Sequence, residues 1–541
     1  EICACLVGSE MCIRDRFSTV ENARQALMGC YGYMSADNAY GQAWQEVTFG
    51  YCGFGWSQTN GSSTDLLVSM DGGIDETINT MAWRGMYKVI GETNAFIANI
   101  ADSPLESADK LPMEAAARFL RALAYYNLAV TYGDVPLKTT PSAHDGVAVP
   151  RSPKNEVFEL VRTDWEFAYE NLPEKDDDGF ATKWAAKAYL GKLYHTLGCQ
   201  GDNTAWEKAK ACFDEVMPKY RLADKFSYLF VDYVQGSPES IFQLNFALAG
   251  STTRNRGSWL VAPNGSCNGQ AWDRIRASKA LYDYFLATYP GDPRIESTFL
   301  TYWKSYAGVG KGEKPKEEPI ASARDTVYAY PYFTYTIEGE EKPAGWKKPK
   351  LYVGRIPYEK LADPASPKAE ELYAMIADTA TATPAEKGYL KGLLSLLENA
   401  TKKPSTNTKS WPYFKKPWDP EQSGNNSHKN LILYRYADML LMAADVYNEL
   451  GQTDKAITLA NEVLKRARQS GNASQPADWK SGLSKEQVRE KIYFERIFEG
   501  AGEPEMYQKM RLRGTELLKK AFEVNNCLLY TSPSPRDMRR S

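Results

Sequence analysis

The chain has 541 residues, 43% of them hydrophobic and 25% charged, with a formal net charge of −3. This is an ordinary globular balance, and it gives no electrostatic case for nucleic acid or an anionic membrane as partner. No apolar run approaches the roughly 18 residues that cross a bilayer.

The two ends differ from the rest. Residues 6–16 and 527–537 have neither helical nor strand periodicity, and both read as translated sequencing adapters in opposite orientations. Segments 1–16 and 527–541 are therefore set apart, leaving about 17–526 as the folding region. On this reading the export signal, the native N-terminus and the native C-terminus are expected to be missing. Cys3, Cys5 and Cys12 are not taken for a lipid-bearing cysteine. The remaining Cys30, Cys52, Cys199, Cys212 and Cys267 show no CxxC and no metal-ligand spacing.

Along the chain, apolar periodicity predicts helices over 17–34, 75–101 and 113–132, the last closed by Gly133. Ser152 and Pro153 supply an N-cap and a first-turn proline for a helix to Asn171, stopped by Leu172-Pro173. Two helix pairs share a pattern: 184–194 with Gly198 then 206–217, and 437–447 with Gly451 then 454–468. Aligned on Gly198 and Gly451, Tyr194 falls on Tyr447, Leu190 on Ala443, Ala209 on Ala456 and Val216 on Val463. Alanines at 185, 188, 209, 443 and 456 let paired helices approach closely, and the turn glycine and preceding tyrosine resemble a tetratricopeptide pattern.

The middle is different. Residues 239–246 alternate like a short strand, while 250–269 and 302–357 are rich in Gly, Pro, Asn and aromatics without a sustained period. Thr383, Pro384 and Glu386 form a capping box for a helix to Asn399. Long loops are functional or disordered, and aromatic content argues against disorder. The expected fold class is mainly α: tetratricopeptide-like helix pairs form a scaffold, with long irregular loops and a few short strands. Its parts are an N-terminal helical region (17–221), a loop-rich middle (222–430) and C-terminal helix pairs (431–526).

Catalytic motifs are scarce. His144, His195 and His428 lie far apart, and His195, in a predicted helix beside Tyr194, reads as a core or partly exposed residue and not a catalytic one. There is no HExxH, GxSxG or GxxxxGK[ST], and Gly500-Ala-Gly502 lacks a third glycine because Glu505 stands there. Asp176-Asp177-Asp178 reads as a solvated run, with a calcium contact as the alternative. A glycosidase needs two carboxylates about 5–10 Å apart, and sequence singles out no pair. Aromatic supply stands out instead: 13 Trp and 34 Tyr, with Trp44, Tyr51 and Trp56 before the polar stretch ending at Asp65. Trp259, Trp272, Tyr302, Trp303, Tyr330 and Tyr332 lie in the middle loops. Rings on rigid loops suit the C–H faces of sugars, and adjoining Asn, Asp and Arg orient hydroxyls.

Four stretches, in order along nearly all of 17–526, resemble the SusD/RagB family of Bacteroidetes outer-membrane lipoproteins. They are 117–137, ending Tyr132-Gly133-Asp134-Val135-Pro136-Leu137; 151–173 with Val157-Phe158 and Asp164; Arg435-Tyr436-Ala437-Asp438 through Gly451; and Glu495-Arg496 with Glu499 and Gly502-Glu503. Physically, Arg435 and Asp438 are expected to pair with each other or to cap, and Glu495, Arg496 and Glu503 to be paired architecture, because buried charges need partners. Pro504 departs from the family pattern, which has a small or polar residue there. The resemblance implies an outward-facing, lipid-anchored protein of the cell outer membrane that binds an oligosaccharide for a TonB-dependent SusC-like transporter barrel. It implies no enzyme activity, no catalytic residue and no cofactor, with a structural calcium ion as the one option. Carried over as ligand-binding residues are Trp56, Asp65, Asn268, Trp272 and Trp303. Two alternatives stay open: a peptide-capturing member of the same scaffold, and a surface glycoside hydrolase.

Overall fold

A computed structural model describes residues 17–57, 77–141, 149–176, 179–230, 237–246, 255–304, 411–422 and 424–526, with short pieces at 67, 326–329, 332–333 and 356–357. The helix expected at 383–399 and both adapter-like ends lie outside the described residues. What is described is mainly helical. Helix α1 (Val20–Met34) starts where the Thr19 hydroxyl accepts the Asn22 N–H at 3.2 Å. α2 (Ala43–Gly50) is buried throughout and leads to strand β1 (Gly55–Trp56). α3 (Thr77–Ala101) packs against α4 (Ser107–Tyr132), which begins earlier than expected and takes Pro112 into its early turns.

Gly133 ends α4 with φ +83, and its N–H returns to the Ala129 carbonyl. Asp134 then does what the sequence suggested for Ser152. Its carboxylate accepts the N–H of Lys154 at 2.8 Å, at the head of α5 (Lys154–Asn171). Ser152 is instead in a strand, because β2 (Val135–Pro136) and β3 (Arg151–Ser152) pair as the chain doubles back. α5 is clamped to α4 by Arg121, which meets both oxygens of Asp164 at 2.8 Å.

The first helix pair is α6 (Lys183–Cys199) with α7 (Ala205–Val216). After it come β4 (Ser240–Leu244), α8 (Gly257–Val261), β5 (Arg276–Ala277), α9 (Lys279–Thr288), α10 (Arg294–Thr298) and β6 (Phe299–Leu300). Next are β7 (Tyr413–Phe414) and β8 (Leu431–Arg435), which pairs antiparallel with the strand anticipated at 239–246. The second helix pair is α11 (Tyr436–Glu449) with α12 (Thr453–Gln469), followed by α13 (Lys485–Gly500), α14 (Met506–Leu512) and α15 (Thr515–Asn526).

The alanines at 185, 188, 209, 443 and 456 are all buried, as close helix approach requires. The aligned tyrosines also act alike: Tyr194 donates to Glu166 on α5 and Tyr447 to Asp214 on α7, each tying its helix to a preceding one. The aligned glycines do not. Gly451 turns with φ +79, but Gly198 is still helical, and a Cβ there would stand 2.6 Å from the Trp206 ring. Gly201, at φ +104, makes that turn.

Buried charges join these layers. Arg435 does not pair with Asp438: it is the N-cap residue of α11, in extended backbone, and its guanidinium is taken up by other carboxylates. It reaches Glu503 and Glu239 at 2.8 Å and Glu499 at 2.6 Å. Arg466 shares Glu239 and Glu499, Lys416 binds Glu503, and Arg294 spans Asp292, Glu495 and Glu499. Asp438 instead holds Arg496 at 3.0 Å and Lys509 at 3.3 Å. Glu505, with left-handed φ +73, pairs with Lys192 deep in the scaffold. Of the core and partly exposed roles open to it, His195 takes the core one: it is buried, 2.8 Å from Asp445, with Cys199 Sγ 3.8 Å from its Nδ1. These atom types could ligate a metal, but Arg513 already supplies a cation, 3.2 Å from Asp445 and 3.5 Å from Cys199.

Burial by itself would raise these carboxyls, yet neighbouring cations overrule it. Glu503 is held at about 2 by Arg435 and Lys416, Asp445 at about 2 by Arg513 and His195, and Glu449 at about 2 by Arg489 and Arg513. Each folded value lies below the unfolded one, so each group stabilises the fold above its unfolded pKa and ceases to do so as pH falls through the folded pKa. The thermal midpoint is therefore expected to be flat from about pH 7 to 5 and to fall steeply toward pH 2. A scanning-calorimetry series that stays level to pH 3 contradicts this assignment.

Candidate functional site: a paired-tryptophan platform

Three segments far apart in sequence meet above this scaffold. β1 pairs with β5, setting Gly55 opposite Ala277 and Trp56 opposite Arg276. Gly55 is required there, since a Cβ would stand 2.7 Å from the Phe49 carbonyl. The Ala277 N–H donates to the Pro412 carbonyl at 3.0 Å, and the Ser278 N–H to that of Phe54 at 2.8 Å. Ser278 also caps α9 through the Leu281 N–H. The 271–275 stretch folds onto α8: Trp272 N–H meets the Trp259 carbonyl at 2.8 Å and Arg274 N–H that of Leu260 at 2.9 Å. Asp273 turns the chain with φ +55 and accepts Arg276 Nε at 2.7 Å. Burial raises the Asp273 carboxyl, and Arg276 pulls it back.

Two indole pairs result. Trp56 lies parallel to Trp411, with centroids 4.1 Å apart and 13° between planes. Trp259 lies on Trp272 at 4.1 Å and 16°. Cations flank both. Arg276 is 5.2 Å from the Trp56 centroid and Lys279 5.1 Å from that of Trp411, while Arg256 is 5.5 Å from Trp259. Arg274 is only 3.8 Å from the Trp272 centroid, and because Trp259 occupies one face, the guanidinium covers the other. Trp411 is buried, whereas Trp56, Trp259 and Trp272 are half-buried. Asp419 accepts from the Ser427 hydroxyl at 2.7 Å and the Glu421 N–H at 3.0 Å. With Asp419 and Asp273 both engaged structurally, the platform offers aromatic edges and guanidinium donors to a ligand.

Comparison with known proteins decides the family. The SusD family profile matches residues 238–511, and a second profile, described as starch-binding associating with outer membrane, matches 29–195. The chain belongs to the SusD family. SusD-like protein P2 of Formosa agariphila is 23% identical over 97% of this chain and 92% of its own. A SusD homolog from Bacteroides thetaiotaomicron has the same fold, with TM-score 0.71 at 18% identity over 97% of this chain and 92% of that one. A structure described as a laminarin binding SusD-like protein matches with TM-score 0.62 at 20% identity, covering 93% of each chain.

Of the residues carried over from the family, Trp56 and Trp272 stand in the two stacks. Asn268 is exposed on the neighbouring loop, its N–H on the Pro420 carbonyl at 2.8 Å. Trp303 is buried, edge-on to Tyr413 at 5.7 Å in a small cluster with Leu300 and Ala329, so its ring faces the interior. Asp65 lies outside the described residues. Sequence reading passed over Trp411 and Arg274. The signal for the first was the aromatic density of Trp411, Tyr413, Phe414 and Trp418; nothing local marks an arginine that will stack. Parallel indoles couple electronically, so far-ultraviolet circular dichroism is expected to show an exciton couplet, weakened by Trp272→Ala and by Trp411→Ala. A spectrum unchanged in both variants shows that the stacks do not form.

Proposed function

We infer that this SusD-family chain captures an oligosaccharide on the platform and does not cleave it. The observation that carries the reading is the formation of two cation-flanked indole stacks, Trp56 on Trp411 and Trp259 on Trp272, by three distant segments that the β1–β5 pair helps to join. Sugar C–H groups lie against the half-buried indoles, and hydroxyls meet Asn268 and the guanidinium donors. The laminarin binding neighbour supports a glycan as the ligand class, and the outer-membrane description of the N-terminal profile supports the location. In this reading the protein is lipid-anchored on the outer face of the outer membrane and delivers its ligand to a TonB-dependent SusC-like barrel.

Isothermal titration against laminarin, starch, xylan and pectic oligosaccharides tests the reading. At least one is expected to bind, with Trp56→Ala weakening it by about tenfold, as loss of one stacking contact implies, and Trp272→Ala weakening it because the ring that holds Trp259 and Arg274 in place is gone. Unchanged affinity in both variants removes the platform as the site. Sustained release of shortened products overturns binding without cleavage.

A further inference from the structure

Arg274 differs from the other arginines of the platform. Arg256 is paired with Asp37 at 3.1 Å and Arg276 with Asp273 at 2.7 Å. Among the described residues Arg274 has no carboxylate partner, and its Nε is buried without an acceptor. Its guanidinium carbon stands 3.8 Å from the Trp272 ring centroid, with part of the side chain open to solvent. Stacking uses the π face of a guanidinium and leaves its in-plane N–H fork free, the geometry that takes a carboxylate or sulfate through two parallel hydrogen bonds. The ring fixes the fork, so little side-chain freedom is lost when a ligand arrives.

The charges explain why a hydroxyl pair alone is a poor match. A glycan lying across the stacks desolvates this guanidinium, and a neutral sugar brings no charge to compensate it. An anionic group compensates the charge through the terminal N–H groups of the guanidinium. We propose that the captured oligosaccharide is acidic, carrying a uronate carboxylate or a sulfate ester, and that Arg274 on Trp272 receives that group. This rests on the glycan-capture reading and specifies its ligand class. Trp272 then acts mainly as the surface that aims Arg274, and direct sugar stacking falls to the remaining indole edges and faces.

Matched ligand pairs test it: oligogalacturonate against its methyl ester, and a sulfated galactan against its desulfated form. In at least one pair the acidic member is expected to bind about tenfold or more tightly than the neutral one, with affinity falling as sodium chloride is raised. Arg274→Gln is expected to abolish that preference, and Arg274→Lys to restore only part of it, because the charge returns without the fork. The circular-dichroism couplet of each variant reports whether the indole stack survives. Equal binding of acidic and neutral members, or a preference intact in Arg274→Gln, overturns the anion assignment and leaves glycan capture standing. If no glycan of either kind binds, capture itself fails and the assignment falls with it.

Discussion

The structure depends on the neutralisation of Arg435 in the interior. A lone guanidinium removed from water is costly, and only several oxygens placed around it make the site tolerable. Glu239, Glu499 and Glu503 supply them from three different elements. Glu239 precedes β4, Glu499 lies near the end of α13, and Glu503 follows that helix, so a single cation fixes strand, helix and turn relative to α11. Burial would raise the Glu499 carboxyl, but Arg466, Arg435 and Arg294 hold it well below the ordinary range. Removing any one charge leaves its partners buried and uncompensated.

The same cluster anchors the segment that carries the proposed ligand platform. Lys416 binds Glu503 and the Glu499 carbonyl, and it sits in the segment that carries Trp411 and Trp418. Phe414, two residues before it, stacks on Phe49 of α2. Gly502 is at φ +76, and a Cβ there would stand 3.0 Å from the Phe414 ring. Arg294 extends the cluster toward α9, whose cap Ser278 adjoins β5 and the Trp56 strand pair. The charges that identify the family are thus the base on which the platform is mounted. That division suits a family whose ligands differ, because rings can change on loops while the base stays fixed.

Much of this was legible in the sequence. Helix periodicity located the two pairs, since buried alanines and apolar stripes repeat at the spacing a helix imposes, and 239–246 alternated as a strand. The missed details share a cause: they depend on partners distant in the chain. Nothing near Ser152 says that Asp134 will cap its helix instead. Nothing near Arg435 says that its partners are Glu239, Glu499 and Glu503 while Asp438 turns to Arg496. Gly198 and Gly451 look alike in alignment, yet one makes room for Trp206 and the other turns the chain. At the platform, Trp56 and Trp272 were visible as loop aromatics, but Trp411 acquires its role only by stacking on Trp56 from a distant segment, and Arg274 by covering a ring that Trp259 holds in place. Trp303 shows the converse, a tryptophan expected in a loop that stands in a short strand (Tyr302–Lys304) and is buried against Tyr413.

On the proposed reading, the helical frame sets positions and the paired indoles meet the ligand. Hydrogen–deuterium exchange, with and without a saturating oligosaccharide from the titration panel, tests that division most directly. The account predicts new protection in 54–57, 256–277 and 411–428, with the helix pairs at 183–216 and 436–469 unchanged. Protection confined to those helix pairs, with the platform segments unaltered, contradicts it.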